Sequence, residues 1–179
     1  TCTDRLARQF GMRSFTQDTE SPQRKGMFYL NGRSIRLRGA NTMGFEQQDV
    51  LRGDLPQLID DILLAKLCNM NFLRLTQRPV QDEVYEYCDK LGLMTQTDLP
   101  LFGVMRRFRV PEGIRQAEEL ARMVRKHPCN VVVSYINEPF PNANNEPHRH
   151  LIRPELENFF TCCDLVVKFS NPDQVIKHV

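Results

Sequence analysis

The sequence predicts an α/β protein, a run of parallel strands with helical cover that makes up about the first half of a (β/α)8 barrel, strands one to five, behind a short β lead-in. Three observations predict it. Short strands alternate with amphipathic helices from about residue 35 onward. Strands such as Val131-Val132-Val133 are apolar without clean alternation, which fits a sheet covered on both faces. No Gly-x-Gly-x-x-Gly or phosphate loop follows any strand, which argues against a nucleotide-binding doubly wound sheet. A complete barrel needs about 250 residues, so 179 residues with a lead-in leave room for roughly half of one.

The elements follow in order. Gln9 to Phe15 alternates like a short strand, and the polar stretch from Gln17 to Lys25 reads as a loop. Met27 to Leu30 and Ser34 to Gly39 flank Asn31-Gly32, a dipeptide that favours positive φ at both positions of a hairpin turn. The second arm doubles as the first barrel strand. Asp54 can cap a helix from Leu55 in which Leu58, Ile59, Ile62, Leu63 and Leu67 recur at helical spacing. Phe72 to Leu75 is the second barrel strand. Gln81 to Leu91 is a helix with Val84, Tyr85 and Cys88 on one side and Gly92 as its stop. Leu93 to Thr97 is the third strand, and Glu112 to Lys126 the next helix, with Ile114, Ala117, Leu120, Ala121 and Val124 inward. Val131 to Ile136 is the fourth strand, Pro154 to Phe169 a helix, and Gln174 to Val179 a fifth strand.

Composition narrows the function. With 41% hydrophobic and 26% charged residues the chain is ordinary globular material rather than disordered. A net charge of +2 with no run of five like charges leaves no footprint for nucleic acid. No stretch approaches the roughly 20 apolar residues of a membrane span. The start, Thr1-Cys2-Thr3-Asp4-Arg5, has neither Met nor the apolar core of a signal peptide and reads as a chain entered in its middle. The cysteines form no Cys-x-x-Cys pair, and His148 and His150 stand in a polar loop, so neither a metal nor a cofactor is expected. Buried free thiols are the expectation for Cys68, Cys88 and Cys163.

Catalytic groups of a barrel lie at the C-terminal ends of its strands. Read at those ends, the sequence offers Arg38 and Asn41, then Arg74 and Gln77, then Gln96 and Asp98, then Asn137-Glu138-Pro139. Arginines set among leucines need carboxylate partners, and Asp98 or Glu138 can supply them. Glycoside cleavage needs a carboxylic acid to protonate the leaving oxygen, and Glu138 is the candidate. A neighbouring amide, Asn137, can donate to a sugar hydroxyl.

Phe10-Gly11-Met12-Arg13-Ser14-Phe15, Phe28-Tyr29-Leu30-Asn31-Gly32-Arg33 and Leu37-Arg38-Gly39-Ala40-Asn41 open a series of motifs. Asn71-Phe72-Leu73-Arg74, Tyr87 to Leu93, and Arg125-Lys126-His127-Pro128 followed by Asn137-Glu138 continue it in order. Together they resemble the catalytic barrel of glycoside hydrolase family 2, the family of β-galactosidases, β-glucuronidases and β-mannosidases. The resemblance implies a retaining exo-β-glycosidase acting on a carbohydrate, with Glu138 as acid/base and Asn137 as its 2-hydroxyl partner. Arg38, Asn41, Arg74, Gln77 and Asp98 become expected substrate-side residues. The family's nucleophile lies on strand seven, beyond this chain, so the chain alone is expected to be inactive. Gln77 stands where many members carry His, and Thr97-Asp98-Leu99 replaces the acidic residue and His that help hold magnesium in galactosidase-like members. Residues 1–26 are expected to be the tail of a preceding β-sandwich and a linker, and 27–179 the barrel. Other domains of the parent chain are the expected partners, and the open half barrel is expected to self-associate. A cellulase-like barrel glycosidase and a non-catalytic carbohydrate-binding barrel stay open as alternatives.

Overall fold

The computed structural model describes residues 3–101 and 109–134 and the backbone of Val166–Lys168 and Lys177–His178. A small antiparallel sheet, β1 (Phe15–Gln17), β2 (Phe28–Leu30) and β3 (Arg33–Ile35), precedes the main unit. The main unit is β4 (Gly39–Thr42), α1 (Phe45–Arg52), α2 (Leu55–Leu67), β5 (Phe72–Leu75), α3 (Asp82–Leu91), β6 (Met94–Asp98), α4 (Val110–Val124) and β7 (Asn130–Ser134). Strands β8 (Val166–Lys168) and β9 (Lys177–His178) extend the sheet in the order β4-β5-β6-β7-β8-β9. Pairing is parallel from β4 to β8, as expected, and antiparallel between β8 and β9. This is the fold of a partial α/β barrel.

Local chemistry accounts for the elements. Asn31 and Gly32 sit at φ 50° and 76°, the conformation the hairpin needs between β2 and β3. Asp54 caps α2, its Oδ1 accepting from the Gln57 amide at 3.2 Å. Gly92 ends α3 at φ 71°. Gly39 lets β4 come hard against β5, since a Cβ there would lie 1.8 Å from the Phe72 carbonyl oxygen.

Four expectations are corrected. The Ser34–Gly39 arm is split: β3 ends at Ile35, and the barrel strand begins only at Gly39. The first strand lies at Phe15–Gln17 rather than over residues 9–15, because it pairs there with β2. Helix α1 was not foreseen. Val166–Lys168, expected in a helix, pairs with β7, as suits its two adjacent β-branched valines. The rest of the expected 154–169 helix lies outside the described residues.

Two cores hold the sheet. Between sheet and helices, Leu58, Ile62, Leu75, Val84, Leu93, Ala121, Val124 and Val133 are buried together. A polar ladder crosses this layer, from Tyr85 Oη to Thr97 Oγ1 at 2.8 Å, and from the Thr97 hydroxyl to Asn130 Oδ1 at 2.7 Å. On the other sheet face Phe15, Met94, Val131 and Val132 form a second core with Phe28, Leu30, Ile35, Leu37 and Phe72. The small sheet therefore plugs the end of the unit where the parallel strands begin. Arg13 fastens the plug by donating from Nε to the Pro128 carbonyl at 3.2 Å and from Nη2 to that of Asn130 at 2.7 Å. Main-chain pairing of Thr16 with Tyr29 joins the segments on either side of residue 26.

The same end carries an ionic seam. His127 Nδ1 lies 2.7 Å from Asp89 Oδ2, while Asp89 Oδ1 accepts from the Cys129 amide at 2.8 Å. Lys126 pairs with Asp82 beside it.

Candidate functional site

The opposite end, where the parallel strands finish, gathers the polar groups. Period-two alternation sends Leu73 and Leu75 of β5 into the helix-side core and Arg74 to the other face. Register places Asn41 beside Arg74, and Arg74 beside Gln96. These three side chains form a polar row across β4, β5 and β6. With Leu37, Gly39, Ala40 and Phe72, from the beginnings of β4 and β5, they line an open cavity of about 470 Å³.

Asp98 organises this row. It ends β6, is fully buried, and lies opposite Ser134 of β7. Arg74 donates to its Oδ2 from Nη2 at 2.6 Å and from Nε at 3.0 Å. The Gln77 amide adds a bond to Oδ2 at 3.1 Å, and Gln96 Nε2 one to Oδ1 at 2.9 Å. Gln77 reaches that position at φ 67°, an unusual conformation for a residue with a side chain. The Arg74 side chain is 15% exposed and its partner 0%, so this is a buried ion pair whose remaining lone pairs are hydrogen-bonded. The arrangement fixes the guanidinium plane and offsets its charge.

The expected residues thus separate by position. Asn41, Arg74, Gln77 and Asp98 share one rim. Asp98 is enclosed by protein donors and acts on Arg74 rather than on the open cavity. Arg38 is corrected: it precedes β4, at the opposite rim, where its Nε donates to the Asn69 carbonyl at 3.0 Å and its Nη2 to Asn69 Oδ1 at 3.2 Å. The strand it was expected to end starts one residue after it. Asn137 and Glu138, and with them Tyr135 and Phe102, lie outside the described residues.

Sequence reading missed Glu46 at this rim. The residue is 4% exposed in the first turn of α1, and its Oε1 accepts from Thr42 Oγ1 at 2.7 Å. A single acidic residue in an unforeseen helix left no signal in the sequence.

Other reactive groups are held inert. Burial pushes the Cys88 thiol up to about 12 and that of Cys129 well above its ordinary value. Cys68, expected to be buried, caps α2 and is exposed. Among the described residues no group of His, Cys, Asp and Glu is arranged to hold a metal ion. No helix among them is long and apolar enough to cross a membrane.

Comparison with known proteins bears on this geometry. β-Galactosidase from Klebsiella pneumoniae (strain 342) is 26% identical over 140 residues, which are 72% of this chain and 13% of the relative. β-Galactosidase from Yersinia pestis bv. Antiqua (strain Angola) is 28% identical over 131 residues, 68% of this chain and 12% of the relative. The chain therefore spans about an eighth of the length of the curated relatives it matches. Among solved structures, apo Bacteroides uniformis β-glucuronidase 3 superposes with a TM-score of 0.68 at 21% identity, over 89% of this chain and 21% of that one. An uncultured Clostridium sp. β-glucuronidase gives 0.69 at 20% identity, over 92% and 29%. Identities this low speak for the fold alone. Residues 23–155 match the family model described as glycosyl hydrolases family 2, TIM barrel domain, and the chain belongs to that family.

Proposed function

We propose that this chain supplies the acid/base half of a retaining β-glycosidase site, completed by a carboxylate nucleophile from a later barrel strand. The observation that carries the reading is the polar row Asn41–Arg74–Gln96, held by buried Asp98 around an open cavity of about 470 Å³. Asp98, which holds the row, ends β6, at the side of a barrel where active sites form. β7 ends at Ser134 beside it, and the chain runs on through Asn137 to Glu138.

In this reading Glu138 protonates the leaving oxygen and then, as the base, takes a proton from the incoming water. Asn137 donates to the sugar 2-hydroxyl, a bond that strengthens as charge develops at the anomeric carbon. Asn41 and Gln77 offer amides to ring hydroxyls. Arg74 is held in place by its bonds to Asp98. Residues 1–26 are read as the tail and linker of a preceding β-sandwich. The β-galactosidase relatives favour a β-linked glycoside as substrate, and the described residues alone are proposed not to turn it over.

The test is hydrolysis of a panel of p-nitrophenyl β-glycosides by a polypeptide that carries this chain within a complete barrel, wild type beside Glu138→Gln. Loss of one glycosidase activity by about 10²-fold or more supports the assignment. Equal activity in both forms removes it and brings the non-catalytic binding barrel forward.

A further inference from the structure

The loop that follows β5 carries Gln77 and runs on to Val80 in front of α3. Gln77 is held at φ 67°, a conformation that a residue with a side chain seldom adopts unless its surroundings enforce it. One restraint is the bond from its amide to Asp98 at 3.1 Å. A second acts further along the same loop, from the helix side of the sheet. There Gln47 Nε2 donates to the Pro79 carbonyl at 3.2 Å, and the Val80 amide donates to Tyr85 Oη at 3.4 Å.

Tyr85 stands in α3, is fully buried, and touches both segments that meet at Asp98. Its Oη lies 2.8 Å from Oγ1 of Thr97, the residue before Asp98 in β6. The direction of these bonds follows from what each group can give. Thr97 has one hydroxyl proton and donates it to Asn130 Oδ1 at 2.7 Å. Tyr85 is therefore the donor to Thr97, and its oxygen is left to receive the Val80 N–H. Burial pushes the Tyr85 hydroxyl above its ordinary value, so it keeps its proton at neutral pH. Successive residues of a strand face opposite sides. The 76–80 loop and β6 are thus fastened twice, by Gln77 to Asp98 on one face and by Val80 through Tyr85 to Thr97 on the other.

We propose that Tyr85 is a positioning residue of the candidate site: its hydroxyl holds the loop after β5 against β6, and so keeps the Gln77 amide on Asp98 and Arg74 in its place in the polar row. The inference rests on the glycosidase reading and adds to it a group that acts only through its neighbours, being fully buried.

The experiment compares wild type with Tyr85→Phe, which removes one oxygen and keeps the buried ring. In the full chain, amide hydrogen exchange followed by NMR should find Gln77 and Val80 exchanging about tenfold faster relative to the amides of α4, the worth of one hydrogen bond. In a polypeptide that carries this chain within a complete barrel, KM for the cleaved p-nitrophenyl β-glycoside should rise about fivefold with kcat kept, as for a lost binding contact. A hydroxyl that serves stability alone gives the opposite split and overturns the proposal: every amide quickens by one factor, and kcat falls with the share of folded enzyme while KM stays. Thr97→Val takes away the other end of the bond and should reproduce both effects, whereas Thr97→Ser should keep wild-type behaviour. This pair carries the test should Tyr85→Phe fail to fold. Gln77 exchange unchanged relative to α4, or a Thr97→Ser that behaves like Thr97→Val, would also overturn the proposal. Glu138-dependent hydrolysis with a wild-type KM in Tyr85→Phe removes the positioning role alone. Faster Gln77 exchange in Tyr85→Phe, with no glycoside hydrolysed by the complete barrel, upholds the double fastening and removes only the glycosidase reading.

Discussion

Replacing Asp98 by Asn keeps the shape of the side chain and removes its charge. The fully buried carboxylate accepts from Arg74, Gln96 and the Gln77 amide through both oxygens. In the variant an amide NH₂ takes the place of one oxygen and faces donors whichever way it is turned. The Arg74 guanidinium, with a side chain 15% exposed, loses its ion pair with Asp98. Removing one partner of a buried pair costs about 3–5 kcal/mol, a large part of the 5–15 kcal/mol that holds a typical domain. With a urea m-value of about 2 kcal/mol/M, a cost of about 3 kcal/mol moves the unfolding midpoint down by about 1.5 M. Circular dichroism during urea titration reads this directly. The double variant Arg74→Met/Asp98→Leu removes both charges and should recover much of the loss, giving a strongly non-additive cycle. A midpoint within about 0.3 M of wild type for Asp98→Asn, or additive single effects, would refute the account of Asp98 as the organiser of this rim.

Three further perturbations follow. Burial foremost, and then the neighbouring Asp61 carboxylate, raises the Asp49 carboxyl above its ordinary value. The folded state therefore holds that proton more tightly than the unfolded chain, and stability falls as pH rises from the ordinary carboxyl value through the raised one. Asp49→Asn should accordingly raise the melting temperature at pH 7 and lose that advantage near pH 3.5, and a variant less stable than wild type at pH 7 contradicts the sign. Gly39→Ala drives a Cβ into the Phe72 carbonyl and should cost more than about 2 kcal/mol, whereas unchanged thermal unfolding would mean that β4 and β5 part readily. Brief iodoacetamide labelling at pH 8 with peptide mapping should find Cys68 modified while Cys88 and Cys129 stay protected until urea unfolds the chain. Early labelling of either would contradict their burial.

Legibility followed the hydrophobic pattern. Helices α2, α3 and α4 lie within two residues of the expected ends, although of the apolar face expected for α2 Leu58 and Ile62 are buried while Leu63 and Leu67 are exposed. Helix α1 inverts that pattern, with Glu46, Gln47 and Asp49 buried while Phe45 is 44% and Leu51 77% exposed, so periodicity had nothing to find. Its entry residue, Gly44 at φ 92°, provides no capping side chain either. The need of a buried arginine for a carboxylate was legible, and the structure meets it with Arg74 and Asp98. Which rim Arg38 occupies was not, because that depends on where main-chain pairing of β4 begins, and no side chain encodes it. The loss of Ser34–Gly39 as one strand has the same origin: three residues of linker between β3 and β4 look in sequence like more strand.

The plug closed by Arg13 also sets an order of events. Its hydrogen bonds reach residues 115 and 117 positions further along the chain, and Phe15 is buried against Val131 and Val132. During synthesis the segment around Arg13 and Phe15 cannot settle until β7 has been made and paired, well over a hundred residues later. Until then β1 to β3 and the apolar floor they cover are exposed together, and ordering contacts of such long sequence separation is slow. Weakening Arg13 should therefore leave the unit's secondary structure in place while delaying the last step of folding, and the growing chain is most open to wrong pairing in that interval.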